Sequence, residues 1–398
     1  MAFLSMIIKL GLVIGWLFAA FLVQCSSASS AEESKITIVY FDRAQDPYYA
    51  PRLSYGGTYD ATRKSSVSGS ELAIKDSHFI GQALGKTFNV IHETLPEGEQ
   101  AVGFVTLKLT ANLAQAAILD LPAEDIQAVV KSQATQNTVY FNIRNRSDAL
   151  RLNTCNKNLF HVIPDDAMLS DALVQFAKSM GWQKALVLSS NSQIDLAQVG
   201  VFEKSAQKFG LTITDKRQFV AGSDPRQRDQ NNVKLLTGGS DYDVVFVADE
   251  EHDFSLRLPY RTYSPRPVIG ATGLVPHAWH PLWDRNGAPQ LNRRFFKFAN
   301  RTMTEEDWAA WVAVKSVVEV YSKGETNLEK GLVDPTLTLE LYKAYPGSFR
   351  TWDHQLRQAI LLATSDAVIA TAPVEGALHE ENNLDTLGLD APEFICKP

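Results

Sequence analysis

Short apolar runs recur along this chain with helical segments between them. The runs are residues 36–41, 116–119, 138–142, 185–188, 243–248 and 267–270. Several are apolar at every position, as in Ala116-Ala117-Ile118-Leu119 and Ala185-Leu186-Val187-Leu188. A strand that is apolar on both faces must be covered on both faces. That predicts parallel sheets between layers of helix, an α/β fold. The intervening segments carry the matching signal. A helix is expected from Ser68 to about Leu84, and others over about 123–133, 167–180 and 196–209. In the third, Met168, Leu169, Ala172, Leu173, Phe176, Ala177 and Met180 share one face, and Gly181 ends it. The segments 284–290 and 324–334 are expected to be surface loops.

The first 31 residues read as a secretory signal. Lys9 supplies the only charge, residues 10–23 are apolar, and small residues follow at Ser26–Ala31. The apolar run is shorter than the roughly 20 residues a spanning helix needs, so cleavage is expected over a retained anchor. Leu22-Val23-Gln24-Cys25 loosely matches a lipidation box, with Gln24 large for its position. The remaining chain is expected to be soluble, periplasmic and too long for one core, so two domains are expected. A net charge of −7 with mixed signs argues against nucleic acid or an anionic membrane as the main partner. Of three cysteines, Cys155 and Cys396 would remain after cleavage. An oxidising compartment invites a disulfide between them; two separate thiols are the alternative.

Motifs for chemistry are missing. There is no phosphate loop, no Gly-x-Gly-x-x-Gly after a strand, no Cys-x-x-Cys, no His-Glu-x-x-His and no Gly-x-Ser-x-Gly. An exported α/β chain without these is expected to be a receptor rather than an enzyme.

Four segments, Ser68–Ile74, Phe160–Ala167, Phe176–Ala185 and Ser348–Asp353, resemble type I periplasmic solute-binding proteins, the branched-chain amino-acid receptor class of ABC importers. A narrower resemblance lies in Met303–Lys315, Ala372–Gly376 and Asn382–Gly388. These runs are similar to the substrate-binding protein linked to pyrroloquinoline-quinone (PQQ)-dependent alcohol dehydrogenase systems. The resemblance implies a two-lobe type I fold with three hinge crossovers, near 158–164, 300–306 and 346–352. Lobe 1 would hold 32–160 and 303–348, and lobe 2 161–302 and 349–398. It also implies a monomer that captures a small molecule, presents it to an ABC permease and uses no cofactor. The alternative is an accessory or sensor subunit of the alcohol dehydrogenase system. Trp308, Trp311, Val312, Val318 and Tyr321 are expected in the core of lobe 1.

In open parallel sheets, ligands sit beyond the carboxyl ends of the strands. The candidates there are Asp42, Asp46, Tyr48, Asp120, Asn142, Arg144 and Asn145 in the first half. In the second half they are Ser190, Asn191, Asp249, Glu250 and, further on, Trp279. Amino-acid receptors of this class carry a hydroxyl-rich turn after the strand that here ends at Leu119. This chain has Asp120-Leu121-Pro122, where Pro122 removes a donor and Asp120 repels a carboxylate, so an α-amino acid fits poorly. Asp120 is alternatively an N-cap for the helix after it. The loop Asp249–Asp253 is either a solvated turn or a cation site. Trp279 and Trp283 either wall the cleft or pack a loop.

Overall fold

A computed structural model describes residues 34–50, 63–132, 138–152, 156–221, 231–239 and 241–393. The segment read as an export signal, Cys155 and Cys396 lie outside them. Five strands, β1 (Ser34–Arg43), β2 (Lys86–Leu95), β3 (Ala116–Leu119), β4 (Val139–Asn142) and β5 (Leu159–His161), form a parallel sheet in the order β2-β1-β3-β4-β5. Four more, β6 (Lys184–Ser189), β7 (Thr212–Gln218), β8 (Val244–Ala248) and β9 (Val268–Gly270), form a second parallel sheet, β7-β6-β8-β9. Then come β10 (Val275–His277), a ribbon of β11 (Ser348–Phe349) and β12 (Leu356–Arg357), and β13 (Ile360–Ala363) and β14 (Val368–Ala372). β10, β13 and β14 pair antiparallel.

The helices are α1 (Val67–Asp76), α2 (His78–Leu84), α3 (Ala101–Ala111), α4 (Ala123–Lys131), α5 (Asp148–Leu152), α6 (Asp166–Ser179), α7 (Gln193–Phe209), α8 (Val233–Thr237), α9 (Ala288–Ala299), α10 (Glu305–Ser322) and α11 (Leu328–Leu332). The helix expected over 68–84 is two. It breaks at Ser77, whose hydroxyl takes the Ala73 carbonyl at 2.7 Å. Part of each expected loop is helical, at the start of α9 and in α11.

The runs that are apolar throughout are buried on both faces. Along β1, Ile36, Ile38 and Tyr40 enter one core, and Val39 and Phe41 the other. β3 divides in the same way: Ala116 and Ile118 face one side, Ala117 and Leu119 the other. β2 and β7, which no apolar run announces, are the outer strands of their sheets; every residue of β7 is at least partly exposed.

α10 shows how the first core is made. Thr304 accepts from the Asp307 amide and Asp307 accepts from the Thr304 amide, a reciprocal cap. Trp308, Trp311, Val312, Val318 and Tyr321 are all buried. α1 crosses α10 at Gly69, where a Cβ would stand 2.0 Å from the Asp307 carbonyl oxygen. Only glycine lets the two backbones approach so closely.

The cores also correct the expected crossings. Ala278, Trp279, Trp283, Leu291 and Phe295, expected with the second lobe, pack into the core of the first sheet. So do Phe349 and Leu356. Ile360, Leu362, Ala372 and Leu387 join the second sheet's core. The chain thus changes core after 163, between 274 and 278, and at β13, where Ile360 and Leu362 face the second core and Leu361 the first. The second change is earlier than expected and the third later, because α9 and the β11–β12 ribbon cover the first sheet's side.

Candidate functional site

At the carboxyl end of the first sheet, the strand-end residues take one another. Past β1 the chain makes a 3-10 turn, Pro47–Tyr49, capped by Asp46, whose Oδ1 accepts from the Tyr48 amide at 2.9 Å. The other Asp46 oxygen accepts from Arg144 at 2.8 Å. Arg144 also stands 3.3 Å from Asp120 Oδ1. The second Asp120 oxygen accepts the Tyr40 hydroxyl at 2.5 Å and the Tyr49 hydroxyl. The Tyr48 ring lies between two guanidiniums, Arg63 at 4.3 Å and Arg144 at 4.6 Å, and its hydroxyl donates to Glu306.

Asp120 is fully buried. Burial pushes its carboxyl up to about 6, against the pull of Arg144 and the two tyrosine hydroxyls. Burial and the Asp120 charge drive the Tyr40 and Tyr49 hydroxyls well above their ordinary value, so both are donors at neutral pH. Asp120 is therefore not a helix cap. Position N-cap of α4 is Pro122, which makes no side-chain bond.

Asn142 and Asn145 shape the backbone. Asn142 Oδ1 accepts from the amides of Arg144 and Asn145, and Asn145 Oδ1 from that of Ser147. Asp42 holds Ser65 at 2.7 Å and His92 at 2.8 Å on one oxygen. That bond from Asp42 lifts the His92 imidazole above its usual value. A Ser-His-Asp triad needs the histidine in the middle. Here the carboxylate is in the middle, so Ser65 has no base from this group.

The second sheet ends in a similar set. Ser190 is fully buried and donates to Asp195 at 2.5 Å; Asn191 is exposed. Asp195 also accepts from the Glu250 amide, and Asp249 from the Ser255 amide at 2.8 Å. Among the described residues no group of three or more His, Cys, Asp or Glu is placed to hold a metal ion. The loop Asp249–Asp253 is built as a capped turn, with Glu251 and His252 exposed. Trp279 does not face the cleft. It is buried, stacks 6.0 Å from Trp308, and donates to Asn292.

The two sheet ends meet beside the crossings. The Asp166 amide, opening α6, donates to the Arg146 carbonyl past β4, and burial raises the Asp166 carboxyl above its ordinary value against the pull of Arg146. Arg146 pairs with Glu305 at 2.6 Å. Glu305 also takes His277 at 2.8 Å and the Ala278 amide at 2.7 Å. Although burial opposes it, Arg146 and then His277 hold the Glu305 carboxyl well below the usual range.

Sequence reasoning missed the residue that ties the crossings together. Lys343 is buried, and its Nζ donates to the carbonyls of Ala278 and Ala359 and to Gln358 Oε1, at 2.5, 2.9 and 2.8 Å. Gln358 in turn donates to the Val162 carbonyl at 2.7 Å. One lysine nitrogen, whose pKa burial drives well below its ordinary value, thus reaches two of the core changes directly and the first through an amide. It lies 3.9 Å from the Trp308 ring centroid. Gln355 adds bonds to His161 and Ile163. No local pattern marks a lone lysine in Leu341–Tyr345 as buried. Tyr40, Tyr49, Arg146 and Glu305 were equally unmarked, although Tyr40 is polar-tipped in an apolar strand.

Comparison with known proteins places this architecture. A family model described as "Receptor family ligand binding region" matches residues 105–251. No curated protein sequence matches the chain. Among solved structures, the branched-chain amino-acid transporter substrate-binding protein LivJ of Streptococcus pneumoniae, in complex with isoleucine, superposes with TM-score 0.59 at 16% identity. The match covers 85% of this chain and 99% of that one. A solute-binding protein of R. palustris in complex with benzoate gives 0.59 at 12%, covering 84% and 95%. A leucine-, isoleucine-, valine-, threonine- and alanine-binding protein of Brucella ovis, in a closed conformation, gives 0.58 at 13%, covering 92% and 97%. The chain has the α/β fold of two-lobe type I periplasmic binding proteins.

Proposed function

We propose that the protein is the periplasmic substrate-binding component of an ABC transporter, with a small molecule taken between the two sheet ends. The observation that carries this is the junction itself. The Arg146 carbonyl, past the end of β4, accepts from the Asp166 amide that opens α6, beside three connecting segments bound to one another through Lys343 and Gln358. Such connections let two lobes rotate as bodies, and a ligand touching both ends stabilises the closed arrangement. The solved structures that share the fold are named as transporter binding proteins, and no covalent chemistry is called for.

The charge pattern narrows the ligand. Arg144 is already paired with Asp46 and Asp120, and Arg146 with Glu305. The facing wall carries Asp166, Asp249 and Glu250. A carboxylate would meet committed cations and opposing acids, whereas a neutral hydroxyl or carbonyl compound meets hydrogen-bonding partners. This agrees with a cargo from PQQ-dependent alcohol oxidation, a link that rests on the resemblance of Met303–Lys315, Ala372–Gly376 and Asn382–Gly388.

Thermal unfolding of the mature protein against short and aromatic alcohols, their aldehydes and acids, PQQ and calcium tests the reading. A ligand at 100 times its Kd adds about 2.7 kcal/mol. A shift with an alcohol or aldehyde, lost in Tyr48→Ala, is the expected result. A stable complex with a dehydrogenase, and no shift with any compound, would replace the receptor with an accessory subunit.

A further inference from the structure

A cavity of about 450 Å³ lies away from the cleft, behind the first crossing. α5 supplies Asp148, Arg151 and Leu152 from the first sheet's side. α6 and α7 supply Ala167, Val201 and Lys208 from the second. Asp353 and Leu389 close it. The volume falls within the roughly 300–1,000 Å³ of small-molecule sites.

The charges in this cavity do not cancel. Asp148, Asp165, Asp171, Asp353 and Glu393 line it against Arg151, Lys204 and Lys208. Arg151 donates to Gln355 and three backbone carbonyls and lies 3.7 Å from Asp165. Lys208 is spent on Asp171 and the Gly388 carbonyl. Asp165 caps α6 through the Met168 amide, and Asp353 accepts from the Gln355 amide. Glu393 accepts from the Asp390 amide, which leaves Asp148 with only the more distant charges of Arg151 and Lys204. Asp148 Oδ1 is a buried atom with no hydrogen-bond partner. A buried carboxylate oxygen without a donor is costly, and a ligand that brings an N–H⁺ relieves the cost.

We propose that this cavity binds a small organic cation, an amine with a short apolar body that donates to Asp148 and packs on Leu152, Val201 and Leu389. Burial and the nearby Asp165 charge hold the Asp148 carboxyl up at about 7, which a cation would reverse. The cavity is walled by both lobes' elements and by two connecting segments, so its occupant touches the parts that move relative to one another.

The test is calorimetric titration of the full mature chain with butylamine and 1,4-diaminobutane, against 1-butanol and butyrate. The amines are expected to bind and the other two not. Asp148→Asn should weaken amine binding at least tenfold, and Val201→Trp, which fills the space and keeps the charge, should do the same. Tyr48→Ala in the cleft should leave amine binding unchanged. Butyrate binding as tightly as butylamine, amine binding unaltered in both cavity variants, amine binding lost in Tyr48→Ala, or no amine binding would each overturn the proposal.

Discussion

Replacing Arg144 by methionine should destabilise the protein in a pH-dependent way. In the native arrangement this guanidinium lies 2.8 Å from Asp46 and 3.3 Å from Asp120, and all three side chains are at least nine-tenths buried. Removing one partner of a buried ion pair costs about 3–5 kcal/mol, since the other charge stays buried unpaired. The Asp120 carboxyl already sits at about 6 with Arg144 pulling it down. The unfolded carboxyl titrates near 3.8, so its ionisation costs stability in full above about pH 6 and not at all below about 3.8. Without Arg144 its pKa climbs further. Each unit of climb, up to a pKa near 8, adds about 1.4 kcal/mol to the loss at pH 8 and almost nothing at pH 5. The variant should therefore lose more at pH 8 than at pH 5. A 4 kcal/mol loss moves the midpoint by roughly 5 °C if the whole chain melts together, and about 10 °C if one half melts alone. Urea and thermal unfolding of wild type, Arg144→Met, Asp120→Asn and the double variant at both pH values measure this. The same loss at pH 5 and 8, or a pH-dependent loss that persists beside Asp120→Asn, would refute the assignment of the effect to Asp120.

Lys343→Met should strand the carbonyls of Ala278 and Ala359 and cost about 3 kcal/mol; hydrogen exchange should show the connecting segments opening before the sheets do. Gly69→Ala should force α1 off α10 and cost about 1–3 kcal/mol as overpacking, read as a fall in thermal midpoint, whereas Gly103→Ala, where a Cβ meets nothing within 4 Å, should be neutral or stabilising. Cys155 and Cys396 are proposed to form a disulfide. Leu152 and Glu393, each three residues from one of the cysteines in sequence, line one cavity. Alkylation followed by mass measurement should label neither thiol before reduction and both after.

How far the sequence reached follows from what is local. Strands buried on both faces must be apolar at successive positions, and so β1, β3, β4, β6 and β8 were legible at once. β2 and β7 were not legible, since each keeps exposed polar residues along its length and loses the pattern, whereas β9, outer as well, is apolar and was read. Asp46, Asp120 and Arg144 follow strand ends, so topology nominated them, but their mutual pairing joins residues up to 98 apart in sequence. Trp279 was misplaced because an indole reads alike in a cleft wall and a core. Of the segments of narrower resemblance, Met303–Lys315 brings Glu305 and Glu306 to the site, whereas Asn382–Gly388 is scaffold. Asp385 is buried between Arg350 and Arg357, and Gly388, at φ 79°, leaves a Cβ only 2.7 Å from Met168.

The sequence by itself determined the layers: where apolar residues are continuous or periodic, burial dictates strand or helix whatever the partner. Only the tertiary structure decided which charges neutralise one another and where the chain changes core. Those outcomes depend on distances between residues remote in sequence, and a lone lysine carries no local sign that three connecting segments will close around it.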